Sequence, residues 1–214
     1  GEIPKMESIP DSAQISSSFD YRKGDYLYDQ LDVQAGFSDG TRLLKMNGFK
    51  RSYAGSFGQY VQPEGILTPN QQSYRLDYLT SFDTEKVQAS VAHFVTNSGL
   101  PDSIMNGHHE DITTVAGISY SKTDTAKTFQ VFGSQFNQER RVEHSSIFTY
   151  LNRTHLHFRW TWNAYKTVGF FADKQSIMQD ELRDLKWVTI YGGLNGERLT
   201  TSLGGSFLSE EKSY

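Results

Sequence analysis

The 214-residue chain has no cysteine, only 5 prolines, no excess of basic charge and no long apolar run. Without a thiol there is no disulfide framework, zinc ribbon, iron–sulfur cluster or cysteine nucleophile. Its 21 Lys and Arg against 25 Asp and Glu leave a formal net charge of −4, with a pI near 5.9. That balance argues against a nucleic-acid binder, which needs a basic surplus to neutralise phosphates. A mean hydropathy of −0.57 goes with the absence of any apolar stretch near the ~20 residues of a membrane-spanning helix. A β-barrel escapes that exclusion, because its segments are apolar only at every second residue. What the chain does have is aromatic residues, at 14%, too many for a disordered polymer.

Residues 1–11 carry Glu2, Lys5, Glu7 and Asp11 among two prolines and match neither the basic nor the apolar part of a signal peptide. They read as an N-terminal extension to a β-domain over 12–214. The charged end, residues 209–214, does not close a strand neatly, so the domain is expected to be a portion of something larger.

Period-two alternation runs through the rest. Leu31, Val33, Ala35 and Phe37 alternate with Gln30, Asp32, Gln34 and Gly36. Tyr74, Leu76, Tyr78 and Phe82 alternate with Ser73, Arg75, Asp77 and Ser81. The sharpest contrast is Leu156, Phe158, Trp160 and Trp162 interleaved with His155, His157, Arg159 and Thr161. Eleven such segments can be counted, several of them about 10 to 12 residues long, nearer the ~9–11 of a tilted transmembrane strand than the ~5–6 usual in water-soluble domains. Residues 127–137 alternate poorly, with Phe129 and Val131 on one face and Phe132 and Phe136 on the other. Either a bulge or an inward-facing pair of aromatics accounts for that. Residues 176–186 place Ile177, Met178, Leu182 and Leu185 at mixed helical spacing and predict a short helix inside a loop.

Between the segments, Asp39-Gly40 and Asn195-Gly196 are dipeptides that tolerate the positive φ of tight hairpins. Other spacers, such as 97–111, 138–145 and 175–184, read as long loops. Short and long connections alternate, as in an up-and-down meander with tight turns on one rim and large loops on the other.

Aromatic residues flank the tight turns: Phe37, Phe82, Tyr120, Trp160 and Trp162, with Tyr53, Phe57, Tyr60 and Tyr74 toward the other rim. With the alternation and the turn pattern, these resemble the outer-membrane β-barrels of Gram-negative bacteria. The texture is most similar to porin-like barrels and the barrel part of TonB-dependent receptors, although no plug domain or TonB box is visible. The resemblance implies an all-β, antiparallel up-and-down transmembrane β-barrel in the cell outer membrane that passes small solutes through a polar lumen. Its expected partners are outer-membrane lipid and a small solute, without nucleic acid; a periplasmic or oligomeric partner stays open.

In such a barrel Asp32, Gln34, Arg75, Asp77, His155, His157 and Arg159 line the lumen, and their mixed signs predict little ion preference. His108, His109, Glu110 and Asp111 form a donor cluster in a long spacer, a candidate loop contact for a ligand. His155 and His157 are spaced to chelate a metal only if a third ligand joins them, and none can be named. No catalytic residue, metal site or cofactor is therefore assigned, and the chain is not read as an enzyme; His93, Ser98 and Asp102 offer only what any loop of that composition offers. The alternative reading is a soluble secreted β-sandwich that binds carbohydrate or protein, which would show the same alternation with its apolar faces packed together.

Overall fold

The computed structural model describes residues 8–24, 28–52, 60–61, 70–101, 108–142, 147–163, 166–179, 181–195 and 200–213. The chain runs through β1 (Gln14–Lys23), β2 (Asp29–Ser38), β3 (Arg42–Ser52), β4 (Tyr60–Val61), β5 (Asn70–Phe82) and β6 (Glu85–Pro101). It continues through β7 (His108–Asp124), β8 (Lys127–Val142), β9 (Ile147–Trp162), β10 (Lys166–Met178), β11 (Leu182–Asn195) and β12 (Thr200–Ser213). Eleven strands lie side by side in chain order in one antiparallel sheet, and the short β4 pairs only with β6. The eleven segments seen by alternation are these eleven strands.

Closure into a barrel is not present: β1 and β12 are free edges of an open sheet. Eleven strands in antiparallel order leave the two edges running in the same direction, so they could meet only as a parallel pair and not as a continuation of the antiparallel ladder. No second sheet covers the apolar face among the described residues, which do not form a two-layer sandwich.

Strands run from 10 to 17 residues along the main path, longer than the alternation suggested. The expected long spacers shrink accordingly. At the rim away from the tight turns only 53–69 remains long; 102–107, 143–146 and 179–181 are brief. Residues 147–152 belong to β9, and 211–213 to β12.

The helix expected over 176–186 is absent. Met178 pairs with Leu182 and Ile177 with Arg183 across a tight turn. Residues four apart share a face in a helix, and they also meet across a hairpin whose turn has three residues. The poor alternation of β8 involves no bulge, since its pairing with β7 runs unbroken from Asp124↔Lys127 to His109↔Val142. Phe132 and Phe136 therefore face inward.

On the tight-turn rim the backbone takes positive φ at Gly40 (88°), Asp83 (46°) and Asn163 (47°). Aspartate and asparagine tolerate this region best after glycine, which places them at the corners of the hairpins. In the β2–β3 turn, Asp39 Oδ1 accepts from the backbone N–H of Thr41 (2.9 Å) and Arg42 (2.7 Å) and from the Thr41 hydroxyl (2.9 Å). The Thr41 N–H leads in holding this carboxyl below its ordinary value.

Candidate functional site: the polar inner face

Paired residues of an antiparallel ladder point to the same side, so the register divides every strand into two faces. One register row crosses all eleven strands: Gln14, Ser38, Leu43, Leu79, Gln88, Ser119, Phe132, His157, Phe171, Thr189 and Ser206. This inner face is the side on which Ser38, Asp77, Ser119, His157 and Asp173 are buried.

The opposite, outer face is apolar and bare. Of the 26 large apolar side chains that are exposed among the described residues, all but Phe94, Val115 and Leu208 point outward. Outward aromatics cluster toward the tight-turn rim: Phe129 meets Phe158 at 5.1 Å, Phe158 stacks on Phe170 at 5.5 Å, and Trp160 stacks on Trp162 at 4.7 Å. Farther along the same face the side chains turn polar. Thr154 donates to Gln135 (2.6 Å), Asn152 to Asn137, and Lys186 to Glu211 (3.2 Å). The apolar part extends from Leu156 to Trp162 on β9 and from Tyr74 to Phe82 on β5, roughly 20 to 27 Å along the strands. Strand tilt lowers that height, leaving it on the low side of the roughly 25 Å band of transmembrane barrels.

All seven residues expected to line a lumen lie on the inner face, in two groups. Asp32, Gln34, Arg75 and Asp77 border one hollow of about 670 Å³, together with Lys45 and Phe49 of β3. Pro10, from the stretch before β1, also borders it. Arg75 grips Asp77 with Nε at 2.7 Å and Nη2 at 2.9 Å, a two-pronged pair along one strand. Asp77 is 7% exposed and directly opposite Lys45 in the ladder.

The second group is built around β9. Arg159 donates to Gln130 Oε1 from Nε (3.0 Å) and Nη2 (2.6 Å). His157 Nε2 lies 2.7 Å from the Tyr191 hydroxyl on β11, two strands away. That reach is allowed by Gly169 on the intervening β10: a Cβ there would stand 2.5 Å from both Phe158 O and the Tyr191 hydroxyl. The Tyr191 ring therefore lies across a position where only glycine leaves room. His155 Nδ1 approaches Asp173 Oδ1 at 2.9 Å as an electrostatic contact without hydrogen-bond geometry. Arg153 Nε donates to the same Asp173 oxygen at 2.9 Å while its guanidinium sits 5.6 Å from the Trp187 ring centre. The two imidazoles thus have separate polar partners, although both rings lie against Phe171, and no group of three or more His, Asp or Glu suited to a metal occurs among the described residues.

The donor cluster at 108–111 is not in a loop. These are the first residues of β7; alternation sends His109 and Asp111 inward but Glu110 outward, and the His108 side chain is outside the described residues. Asp111 accepts from Gln138 (3.1 Å) and Arg140 (2.9 Å), and Glu110 lies 3.9 Å from Arg141, all on β8. Its two carboxylates thus tie strands together and do not converge on one ligand. Of the aromatics expected on that rim, Tyr74 points outward, the Tyr60 side chain is outside the described residues, and so are Tyr53 and Phe57. Asp102 is also outside them.

Arg153, Asp173, Tyr191, Trp187 and Lys45 complete the inner face and were not singled out from the sequence. Lys45, Asp173, Trp187 and Tyr191 sit in segments whose apolar alternation is weak, and Arg153 in the polar part of β9 that precedes its strongly alternating part. The signal that places them is the register, in particular a glycine opposite an aromatic at Gly169↔Tyr191. Compared with protein-family models, curated proteins and solved structures, the chain matches none.

Proposed function

We propose that this sheet is the wall of an outer-membrane β-barrel that lets small solutes pass along its polar inner face. The observation that carries the reading is the inversion of polarity. A water-soluble sheet hides its apolar side and wets its polar side, whereas here Ser38, Asp77, Ser119, His157 and Asp173 are buried on the inner face and most of the large apolar side chains of the outer face are exposed. Hydrocarbon is the environment in which that arrangement is favourable. At about 25 cal/mol per Å², exposing this face to water would be heavily unfavourable, and acyl chains remove the cost.

Three further features fit. Strands of 13 to 17 residues from β5 to β10 exceed the roughly 9–11 needed to cross a bilayer, and their polar outer extensions mark where they leave it. The outward Trp160–Trp162 stack and its aromatic neighbours sit where amphipathic rings prefer the headgroup level. A ladder within each pair of strands satisfies backbone groups inside the apolar zone, as lipid requires. The free edges β1 and β12 then require pairing in the membrane, which a parallel seam between them supplies.

The test is fractionation and conduction. Expressed behind a signal peptide, the chain is expected in the outer membrane, to migrate heat-modifiably in detergent and to conduct in planar bilayers. A detergent-free monomer at high concentration would favour the soluble binding module and end this reading.

A further inference from the structure

We infer that the inner face selects small anions, such as carboxylate- or phosphate-bearing solutes, over cations; this rests on the conduit reading and names its substrate class. The ladder sorts the strand cations by kind. Arg22, Arg51, Arg75, Arg140, Arg153, Arg159 and Arg183 point inward, against only Arg42 and Arg141 outward. Lysine shows the reverse, with 3 inward and 7 outward. Arginine presents a rigid fork of donors that matches a carboxylate or phosphate, while lysine is a hydrated point charge suited to a solvent or headgroup boundary.

The inner face therefore carries 10 cations against 6 carboxylates, a surplus of 4 positive charges in a chain whose net charge is −4. The seven lumen residues singled out by sequence hold equal numbers of each sign, and for that reason they predicted no preference. Five of the six inward carboxylates are engaged by cations on the same face: Asp20 by Arg22, Asp77 by Arg75, Asp111 by Arg140, Asp173 by Arg153, and Glu210 by Lys212. Arg159, in contrast, is held by the neutral amide of Gln130, and Arg51 lies 5.3 Å over the Phe49 ring. Arg159 and Lys86 share one inner row, Ser81–Lys86–Ser121–Gln130–Arg159, that contains no carboxylate and lies next to the tight-turn rim. Past the turn carboxylates Asp39 and Asp83, the first charged row that a solute meets on the inner face from that rim is positive.

The experiment is a reversal-potential measurement on the full 214-residue chain in planar bilayers under a KCl gradient. The expected result is a chloride-to-potassium permeability ratio above about 2 near 0.1 M salt, falling toward 1 at 1 M as the screening length drops from about 10 to about 3 Å. Lys86→Gln with Arg159→Gln halves the inward surplus and is expected to cut the reversal potential at least twofold. Lys174→Gln with Lys186→Gln removes the same charge from the outer face and is expected to leave it unchanged. Heat-modifiable migration checks that both double variants fold. A cation-selective or unselective current overturns the anion preference and leaves the conduit standing, and an equal effect of the outer pair overturns the assignment of faces. Absence of any current overturns the conduit and the preference together.

Discussion

An arginine in place of Ile118 separates lipid from water as the neighbour of the outer face. Ile118 is 58% exposed at mid-sheet, in an outward row with Tyr78, Ala89, Gly133 and Leu156 that offers no carboxylate. It has little protein packing to lose, so in water Ile118→Arg would change stability by no more than about 0.5 kcal/mol. Against hydrocarbon the same change costs about 2–4 kcal/mol at the middle of the bilayer. With a urea slope near 2 kcal/mol per M, a loss of about 3 kcal/mol moves the unfolding midpoint by about 1.5 M. The assay is urea unfolding of the chain folded in lipid vesicles, followed by tryptophan fluorescence. Thr154→Arg, where the outer face turns polar, is the control and is expected to cost about 0–1 kcal/mol. A midpoint for Ile118→Arg within about 0.3 M of the parent chain refutes a lipid-facing outer surface.

Brominated lipid is expected to quench single-tryptophan variants retaining Trp160 or Trp162, which point outward, and to spare one retaining Trp187, which points inward; equal quenching of all three would contradict the two-face division. Gly169→Ala is expected to destabilise by about 1–3 kcal/mol through overpacking, since its Cβ lands 2.5 Å from the Tyr191 hydroxyl, and a crystal structure or tyrosine nuclear magnetic resonance signal should report Tyr191 leaving His157. For the β2–β3 turn, the Asp39 carboxyl is held below its ordinary value near 3.8, chiefly by the Thr41 N–H. A depressed acid contributes stability above its ordinary value and loses it as pH falls through the folded value. Asp39→Ala is therefore expected to be destabilised at pH 7, with the gap to the parent chain closing below about pH 4 in pH-dependent unfolding; a constant gap across that range would rule out the charged cap.

The sequence reveals strands where side chains contrast and loses them where they do not. Eleven segments and their two faces follow from Leu156, Phe158, Trp160 and their like, because alternating apolar residues can only serve an extended chain with one oily side. The strand ends do not follow. Gln135, Asn137, Asn152 and Thr154 continue the ladder with polar groups on the outer side, and backbone pairing proceeds regardless of what the side chains carry. That is why His108 to Asp111 read as a loop and lies in β7. The misread helix at 176–186 has the same root, since the spacing of Met178 and Leu182 is common to a helical turn and a tight hairpin. Individual lumen residues were visible, but their electrostatic sum was not: assigning Arg51, Arg140 or Arg183 to a face requires knowing which residue each one pairs with.

The parity of the sheet constrains whatever completes it. β1 and β12 both travel from the tight-turn rim to the opposite one, so any set of strands bridging them with antiparallel contacts at both seams must contain an odd number. A single hairpin added between them fails by one strand, while one strand or three would suffice. A second upright copy of this sheet likewise meets the first only in a parallel seam.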